Sequence, residues 1–293
     1  YLNSKQRNLE KIRVLVLGST GMLGHVLFFY LKKNNQFDVF DISFRKPLHP
    51  ESILCDVTNV KDLEKIVLNR NPKIIINCIG VLLKVANKNK ANTIFLNAYF
   101  PHKLSKIAKK IDAKLIHIST DCIFDGGKGF YSEYDIPNPI DLYGRSKLLG
   151  EITYDNHLTL RTSIIGPEIK NKGHGLFHWF MLQKSLIQGF SNVYWGGVTT
   201  IQLAKVIEKS INLKLKGLFH VTNGTRISKY DLLQLLNLNF KSEKIDIIKH
   251  EDKVSDKSLI SKFNFFDDLI LSYDDMIIEM KKFIEENKNY YKY

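Results

Sequence analysis

An α/β fold is predicted for this chain: a doubly wound parallel sheet with a smaller lobe interleaved into its C-terminal half. Three observations predict it. Strand-like and helix-like segments alternate through the first half with short connections, as in strand–helix–strand units wound on a parallel sheet. The strand-like segments are near-continuous apolar runs, as expected of strands covered on both faces. The alternation stops after Gly166, where glycine, aromatic and histidine residues gather.

The elements follow in order. Ile12-Arg-Val-Leu-Val-Leu17 reads as the first buried strand, and a glycine turn leads into an apolar helix over about 22–33. A second short strand is expected at 38–42, and a helix at 60–69 with Thr58 or Asn59 as its cap. Pro72 leads into a buried strand at 73–78. Residues 92–110 read as one long helix, with Pro101 in its first turns or at a break. A strand at 114–118, a helix carrying Tyr143 and Lys147, and a strand at 158–165 complete the first half. Beyond it are expected a helix at 176–188, a helix at 200–213, a strand at 217–221 and an amphipathic last helix at 273–287. Polar residues 1–11 read as a flexible leader. Residues 12–166, rejoined by 198–222, read as a nucleotide-binding domain, with 167–197 and 223–293 as the second lobe.

The chain has 293 residues, enough for a sizeable core. No apolar run approaches the ~20 residues that span a bilayer, and no secretory h-region is present, so a cytoplasmic protein without a membrane partner is expected. The three cysteines, Cys55, Cys78 and Cys122, suit neither a zinc site nor a disulfide framework. The net charge of +13 reads mainly as lysine-rich drift. The lysines are spread along the chain, with no basic tail or arginine–aromatic stripe, so a nucleic-acid partner is not expected. A nucleotide substrate would still benefit from the positive field.

Gly18-Ser-Thr-Gly21-Met-Leu-Gly24 lies between the first strand and first helix, the context a dinucleotide fingerprint requires. Glycines let the backbone turn tightly and approach a pyrophosphate, and the helix N-terminus offers free N–H groups. A Rossmann-type fold follows. Asp41, 17 residues after Gly24, either holds a ribose 2′-hydroxyl or lies within the strand, leaving Ser43 at its end. Arg45 and Lys46 follow at once and suit a 2′-phosphate, which favours NADP(H) over NAD(H). Asp56 and Val57 suit the adenine edge, and Asn77-Cys-Ile-Gly80 the end of the following strand.

Tyr143 and Lys147 stand four residues apart, on one face of a helix. A close ammonium lowers a phenol pKa, and such a phenol passes a proton to or from a carbonyl or alcohol oxygen. Ser119-Thr120-Asp121 lies just upstream.

Together these motifs resemble the extended short-chain dehydrogenase/reductase family. Ser119-Thr-Asp-Cys-Ile-Phe-Asp-Gly126, Pro139-Ile-Asp-Leu-Tyr-Gly-Arg-Ser-Lys-Leu-Leu-Gly-Glu151 and Leu160-Arg-Thr-Ser-Ile-Ile-Gly166 are similar to the dTDP-4-dehydrorhamnose reductase branch. Gly196-Gly-Val-Thr-Thr200 and Asp256-Lys-Ser-Leu259 are similar to segments of capsule and O-antigen reductases. The resemblance covers most of the chain and is strongest up to Gly166. It implies an enzyme that reduces the 4-keto group of a nucleotide-diphosphate 6-deoxy sugar for surface polysaccharide. dTDP-4-dehydrorhamnose or a UDP-linked 2-acetamido-2,6-dideoxy keto sugar would be the substrate, the Cys122 motif tilting toward the latter.

By that resemblance Tyr143 is the general acid, Lys147 tunes it and holds the nicotinamide ribose, and Thr120 bonds the substrate oxygen. The implied cofactor shell is Gly18, Thr20, Gly21, Met22, Leu23, Gly24, Arg45, Asp56, Val57, Cys78, Ile79, Gly80, Asn97 and Ser119, joined by Tyr143 and Lys147. The implied substrate residues are Asp121, Cys122, Arg161, Trp179 and Trp195, with Lys172 and Lys184 toward the diphosphate. Arg161 is alternatively structural, and the tryptophans are alternatively core. Cys122 stands where sugar-nucleotide dehydratases carry glutamate, so dehydration is not expected. His174 and His178 lack a third ligand, so no metal is expected. An NAD-dependent epimerase and a non-catalytic NADP-binding regulatory subunit are the alternative readings. The resemblance also allows a homodimer.

Overall fold

The computed structural model describes residues 10–293; most of the expected leader, residues 1–9, lies outside the described residues. The first half runs β1 (Ile12–Leu17), α1 (Met22–Lys32), β2 (Phe37–Ser43), β3 (Ile53–Leu54), α2 (Val60–Arg70) and β4 (Ile74–Asn77). Short helices α3 (Leu83–Ala86) and α4 (Lys90–Ile94), a π-helical turn (Phe95–Tyr99) and α5 (Phe100–Lys110) lead to β5 (Lys114–Thr120), α6 (Leu142–Leu149) and β6 (Leu158–Thr162). The second half runs β7 (Ile164–Ile165), α7 (Leu176–Met181), β8 (Ile187–Phe190), β9 (Val193–Trp195), β10 (Val198–Thr199), α8 (Thr200–Asn212) and β11 (Gly217–His220). β12 (Ile227–Ser228), α9 (Lys229–Phe240), β13 (Ile247–His250), β14 (Ser255–Asp256) and α10 (Tyr273–Glu286) follow.

A seven-stranded sheet of order β11-β6-β5-β4-β1-β2-β3 is parallel throughout. Chain order reverses between β1 and β4, so a crevice opens at the strand C-termini there, where ligands bind in doubly wound sheets. One face buries Val14, Val16 and Ile76 against α1 and α8; the other buries Leu15, Leu17 and Ile75 against α2 and α5. A second core cluster, which includes Phe177, Phe180, Trp195, Leu232, Leu236 and Phe283, joins elements of the second half to Val26 of α1 and Ile201 of α8.

Two expectations about elements are corrected. The helix expected at 176–188 stops at Met181, and Ile187–Phe190 is strand β8, paired with β13. Tertiary pairing overrides weak local helix preference here. Gly189 permits it, since an added methyl group would lie 2.9 Å from the Tyr230 Cα of α9. The long helix expected at 92–110 is broken by the π-helical turn. Pro101 has no N–H to donate to the Asn97 carbonyl one turn back. That released carbonyl faces Gly150, where an added methyl group would lie 1.9 Å away.

Candidate active site

The crevice is a cleft of about 940 Å³. Thr20, Gly21, Met22 and Leu23 form its floor at the glycine turn. Gly18 has a φ of 80°, a left-handed conformation that favours glycine. A methyl group at Gly24 would lie 2.2 Å from the Gly18 carbonyl oxygen, so strand and helix meet backbone to backbone. Gly21 caps α1 without a side-chain bond, and no acid occupies the first helical turn. The free N–H groups of that turn therefore face the cleft, a cradle that fits a pyrophosphate.

His25, behind the turn, is fully buried, and burial lowers its pKa to about 4, with a smaller contribution from Lys170. Between pH 6.5 and about 4 the unfolded chain binds a proton that the folded chain refuses. Stability is therefore expected to fall as pH drops through that window, by about 3 kcal/mol in total from this group. Urea unfolding of wild type and His25→Asn between pH 7 and 4 checks this. An equally steep pH dependence in the variant would assign the loss to other groups.

Asp41 lies within β2, buried, where its carboxylate accepts from the Ser19 hydroxyl and from His49 Nε2 at 2.9 Å. It is spent inside the fold, and Ser43 ends the strand. Arg45 lines the cleft beyond that end, stacked 5.1 Å over Phe44. Cys78, Ile79 and Gly80 line the cleft after β4. Three residues expected to contact the cofactor do not line the cleft. Asp56 turns back to accept from the Thr58 amide at 3.0 Å and hydroxyl at 2.7 Å. Val57 is buried in the core beside α2. Asn97 is fully buried; its Oδ1 accepts from the Val81 amide at 2.8 Å, and its Nδ2 donates to the Ser146 hydroxyl at 3.2 Å. It braces the loop after β4 against α6 without lining the cleft.

The reactive corner lies where β5 ends. The Asp141 carboxylate caps α6 by accepting from the Gly144 amide at 2.7 Å. Gly144 lets that helix rest on the turn after β5, since a methyl group there would lie 2.2 Å from the Cys122 carbonyl oxygen. The Tyr143 phenol and Thr120 hydroxyl consequently line the same wall of the cleft. Lys147, buried one turn on, donates to the Ile118 carbonyl at 2.5 Å.

Burial lowers the Lys147 pKa to about 8, against an opposing pull from Glu151, so the ammonium predominates at neutral pH. The phenol departs from expectation. Burial, then the neighbouring Cys122 thiol and Asp121, push its pKa up, and the nearby Thr120 hydroxyl only partly offsets them. The free site therefore holds Tyr143 as a protonated donor. Burial likewise pushes the Cys78 and Cys122 thiols up to about 12, so neither is a thiolate nucleophile.

The expected substrate residues divide. Asp121, Cys122, Trp179 and Lys172 line the cleft; Lys184 does not. Arg161 is corrected to a structural role: its guanidinium forms a buried two-point pair with Glu151, 2.8 Å at each bond. Glu151 also accepts from the Ser119 hydroxyl at 2.6 Å, so Ser119 lines the cleft with its hydroxyl already engaged. Trp195 is corrected to core packing: it is buried, and its indole N–H donates to Ser163 Oγ at 3.0 Å. His174 faces the cleft while His178 is buried on α7, and among the described residues no three potential ligands converge on a metal.

The sequence reading named Arg45, Lys147 and Lys172 but missed the four lysines that complete a wall of cations with them, Lys84, Lys170, Lys229 and Lys253. Arg45, Lys84, Lys147, Lys170, Lys172, Lys229 and Lys253 line the cleft, against only two carboxylates, Asp121 and Glu168. The reading of the charge as drift is corrected to that extent. The positive side chains come from segments more than a hundred residues apart, which no local pattern reveals. A cleft of this polarity suits ligands carrying several phosphates.

The model of the family described as RmlD substrate binding domain matches residues 12–257. Methionine adenosyltransferase 2 subunit beta of Bos taurus is 27% identical over 253 residues, covering 79% of this chain and 73% of that protein. dTDP-4-keto-6-deoxy-D-glucose reductase of Streptomyces niveus is 28% identical over 230 residues, covering 76% and 77%. A solved dTDP-4-dehydrorhamnose reductase of Bacillus anthracis in complex with NADP shares the fold, with a TM-score of 0.78 at 23% identity, covering 94% of this chain and 99% of that one. The dinucleotide cradle, the Thr120–Tyr143–Lys147 corner and the family match converge. The chain belongs to the RmlD substrate binding domain family.

Proposed function

We propose that this protein reduces the 4-keto group of a nucleotide-diphosphate 6-deoxy sugar with NADPH, in the cytoplasm, supplying a deoxysugar donor for surface polysaccharide. The carrying observation is that Thr120, Tyr143 and Lys147 line one cleft together with a set of cations. Thr20, Gly21, Met22 and Arg45 would hold the dinucleotide, which when bound would supply the hydride that the ketone carbon takes up. As charge develops on the ketone oxygen, the Thr120 hydroxyl and the Tyr143 phenol stabilise it, and Tyr143 Oη gives up its proton. Lys147 steadies the phenolate left behind.

NADPH is favoured because Asp41 is spent inside the fold while Arg45 stands at the strand end, free for a 2′-phosphate. Arg45→Glu is expected to weaken NADPH binding about 10–100-fold, the range of one lost charge-assisted contact, and to leave NADH binding nearly unchanged. Titrating both cofactors checks it; equal losses for the two would assign Arg45 elsewhere.

The test of the activity is NADPH oxidation with the 4-keto products of dTDP-glucose and of UDP-N-acetylglucosamine, NADH serving as control. Rapid oxidation with either supports the reading and identifies the base. Likeness to a protein that is a subunit of another enzyme favours a second reading, NADP binding without turnover. Measurable NADPH binding with no oxidation of either substrate would select it. Cofactor that survives gel filtration together with epimerised product would select the epimerase reading.

A further inference from the structure

Two tyrosines after α10 reach both sides of the cleft from behind. Tyr291 and Tyr293 are stacked, with centroids 6.1 Å apart and planes 12° apart. Tyr291 is buried against His25, whose Nε2 lies 2.9 Å from the phenol oxygen and whose Nδ1 lies 2.6 Å from the Gly21 carbonyl. That carbonyl only accepts, so Nδ1 carries the proton. Nε2 of the neutral ring then accepts, and the Tyr291 hydroxyl donates. Tyr291 thus fixes the ring that holds the glycine turn.

Tyr293 holds the opposite wall. Its hydroxyl accepts from the Glu168 amide at 2.7 Å. The Glu168 carboxylate in turn accepts from the Gly175 amide at 2.6 Å and the His174 amide at 3.2 Å, closing the segment 168–175 into a loop. This loop carries Lys170, Lys172 and His174 into the cleft. It also rests on the glycine turn, since a methyl group at Gly175 would lie 2.3 Å from the Met22 thioether methyl. His178 fills the loop from inside, edge-on to Tyr293 at 5.6 Å.

We propose that Tyr291 and Tyr293 are positioning residues: Tyr293 sets the cationic loop 168–175 that meets the phosphates of the second substrate, and Tyr291 sets the glycine turn that meets the dinucleotide. This deepens the proposed reductase reading and rests on it for the identity of the second ligand. The two hydroxyls act on separate ligands through separate hydrogen bonds, so their removal has separable consequences.

The experiment uses the full chain and the variants Tyr291→Phe and Tyr293→Phe, which keep the stacked rings. Amide hydrogen exchange is followed without ligand, and binding of NADPH, dTDP and UDP by calorimetry. In Tyr293→Phe, the His174 and Gly175 amides are expected to exchange about tenfold faster. dTDP or UDP is expected to bind about 5–20-fold more weakly, with the NADPH Kd within twofold of wild type. In Tyr291→Phe, the NADPH Kd is expected to rise about 3–10-fold while dTDP or UDP binding stays within twofold. If the wild type binds neither dTDP nor UDP, the reductase reading fails; loop exchange and NADPH affinity still decide the roles of the two tyrosines. Unchanged exchange and unchanged affinities overturn the proposal. So does uniform weakening of every ligand with a lowered melting temperature, which would mark the hydroxyls as general stabilisers.

Discussion

Tyr143→Phe is expected to reduce the rate of hydride transfer by about a thousandfold while leaving NADPH affinity within about threefold of wild type. The substitution removes one hydroxyl and keeps the ring, so the wall of the cleft is preserved. What disappears is the proton donor and one of two hydrogen bonds to the developing oxygen charge. The Thr120 hydroxyl remains, but it lies 3.1 Å from Asp121 Oδ1, to which it donates, and has no spare acid proton near neutral pH. Because the free site raises the Tyr143 pKa, the phenol starts each turnover protonated, the state a reductase requires. Single-turnover oxidation of bound NADPH, paired with a binding titration, separates chemistry from affinity. Turnover within tenfold of wild type would remove Tyr143 from the mechanism.

The second large effect concerns stability. Arg161→Leu is expected to cost about 3–5 kcal/mol, because it leaves the Glu151 carboxylate buried without the guanidinium that pairs with it. The side chains of both partners are 6% exposed, so water cannot replace the lost bonds. The Ser119 hydroxyl would remain as a donor to Glu151 and is too weak to compensate a charge. Glu151→Leu combined with Arg161→Leu is expected to recover much of the loss, since an apolar pair of similar volume avoids the unpaired ion. Urea unfolding of the two variants checks both statements. A loss below about 1 kcal/mol in the single variant would show that Glu151 takes up a proton or finds solvent.

The parts of the site that could be read in advance were those encoded by short-range pattern. The glycine turn needed only an apolar run, three glycines and the start of a helix. Tyr143 and Lys147 needed only helical spacing. For Arg161 and Trp195 the sequence left substrate and structural roles both open, because nearness along the chain does not give direction. Arg161 turns toward Glu151, and Trp195 turns toward Ser163 and the lobe core. The Tyr143 pKa was anticipated in the wrong direction for a similar reason. Helical spacing announces a neighbouring charge, but desolvation depends on everything packed around the phenol, including Asp121 and Cys122 from another element.

By itself the sequence determined the doubly wound sheet and its crevice, because buried strands and the turns between them are specified by local apolar runs, glycines and caps. It also pointed to Thr120, Tyr143 and Lys147, which share the cleft and whose residue types and spacing are local. Only the tertiary structure decided what surrounds that chemistry. Seven cations from distant segments meet in one cleft, Asp41 is withdrawn from it, and two tyrosines after α10 brace both of its walls. The physical reason is range: backbone hydrogen bonds and side-chain periodicity act over a few residues, whereas charge convergence and burial depend on contacts that form only when the chain has folded.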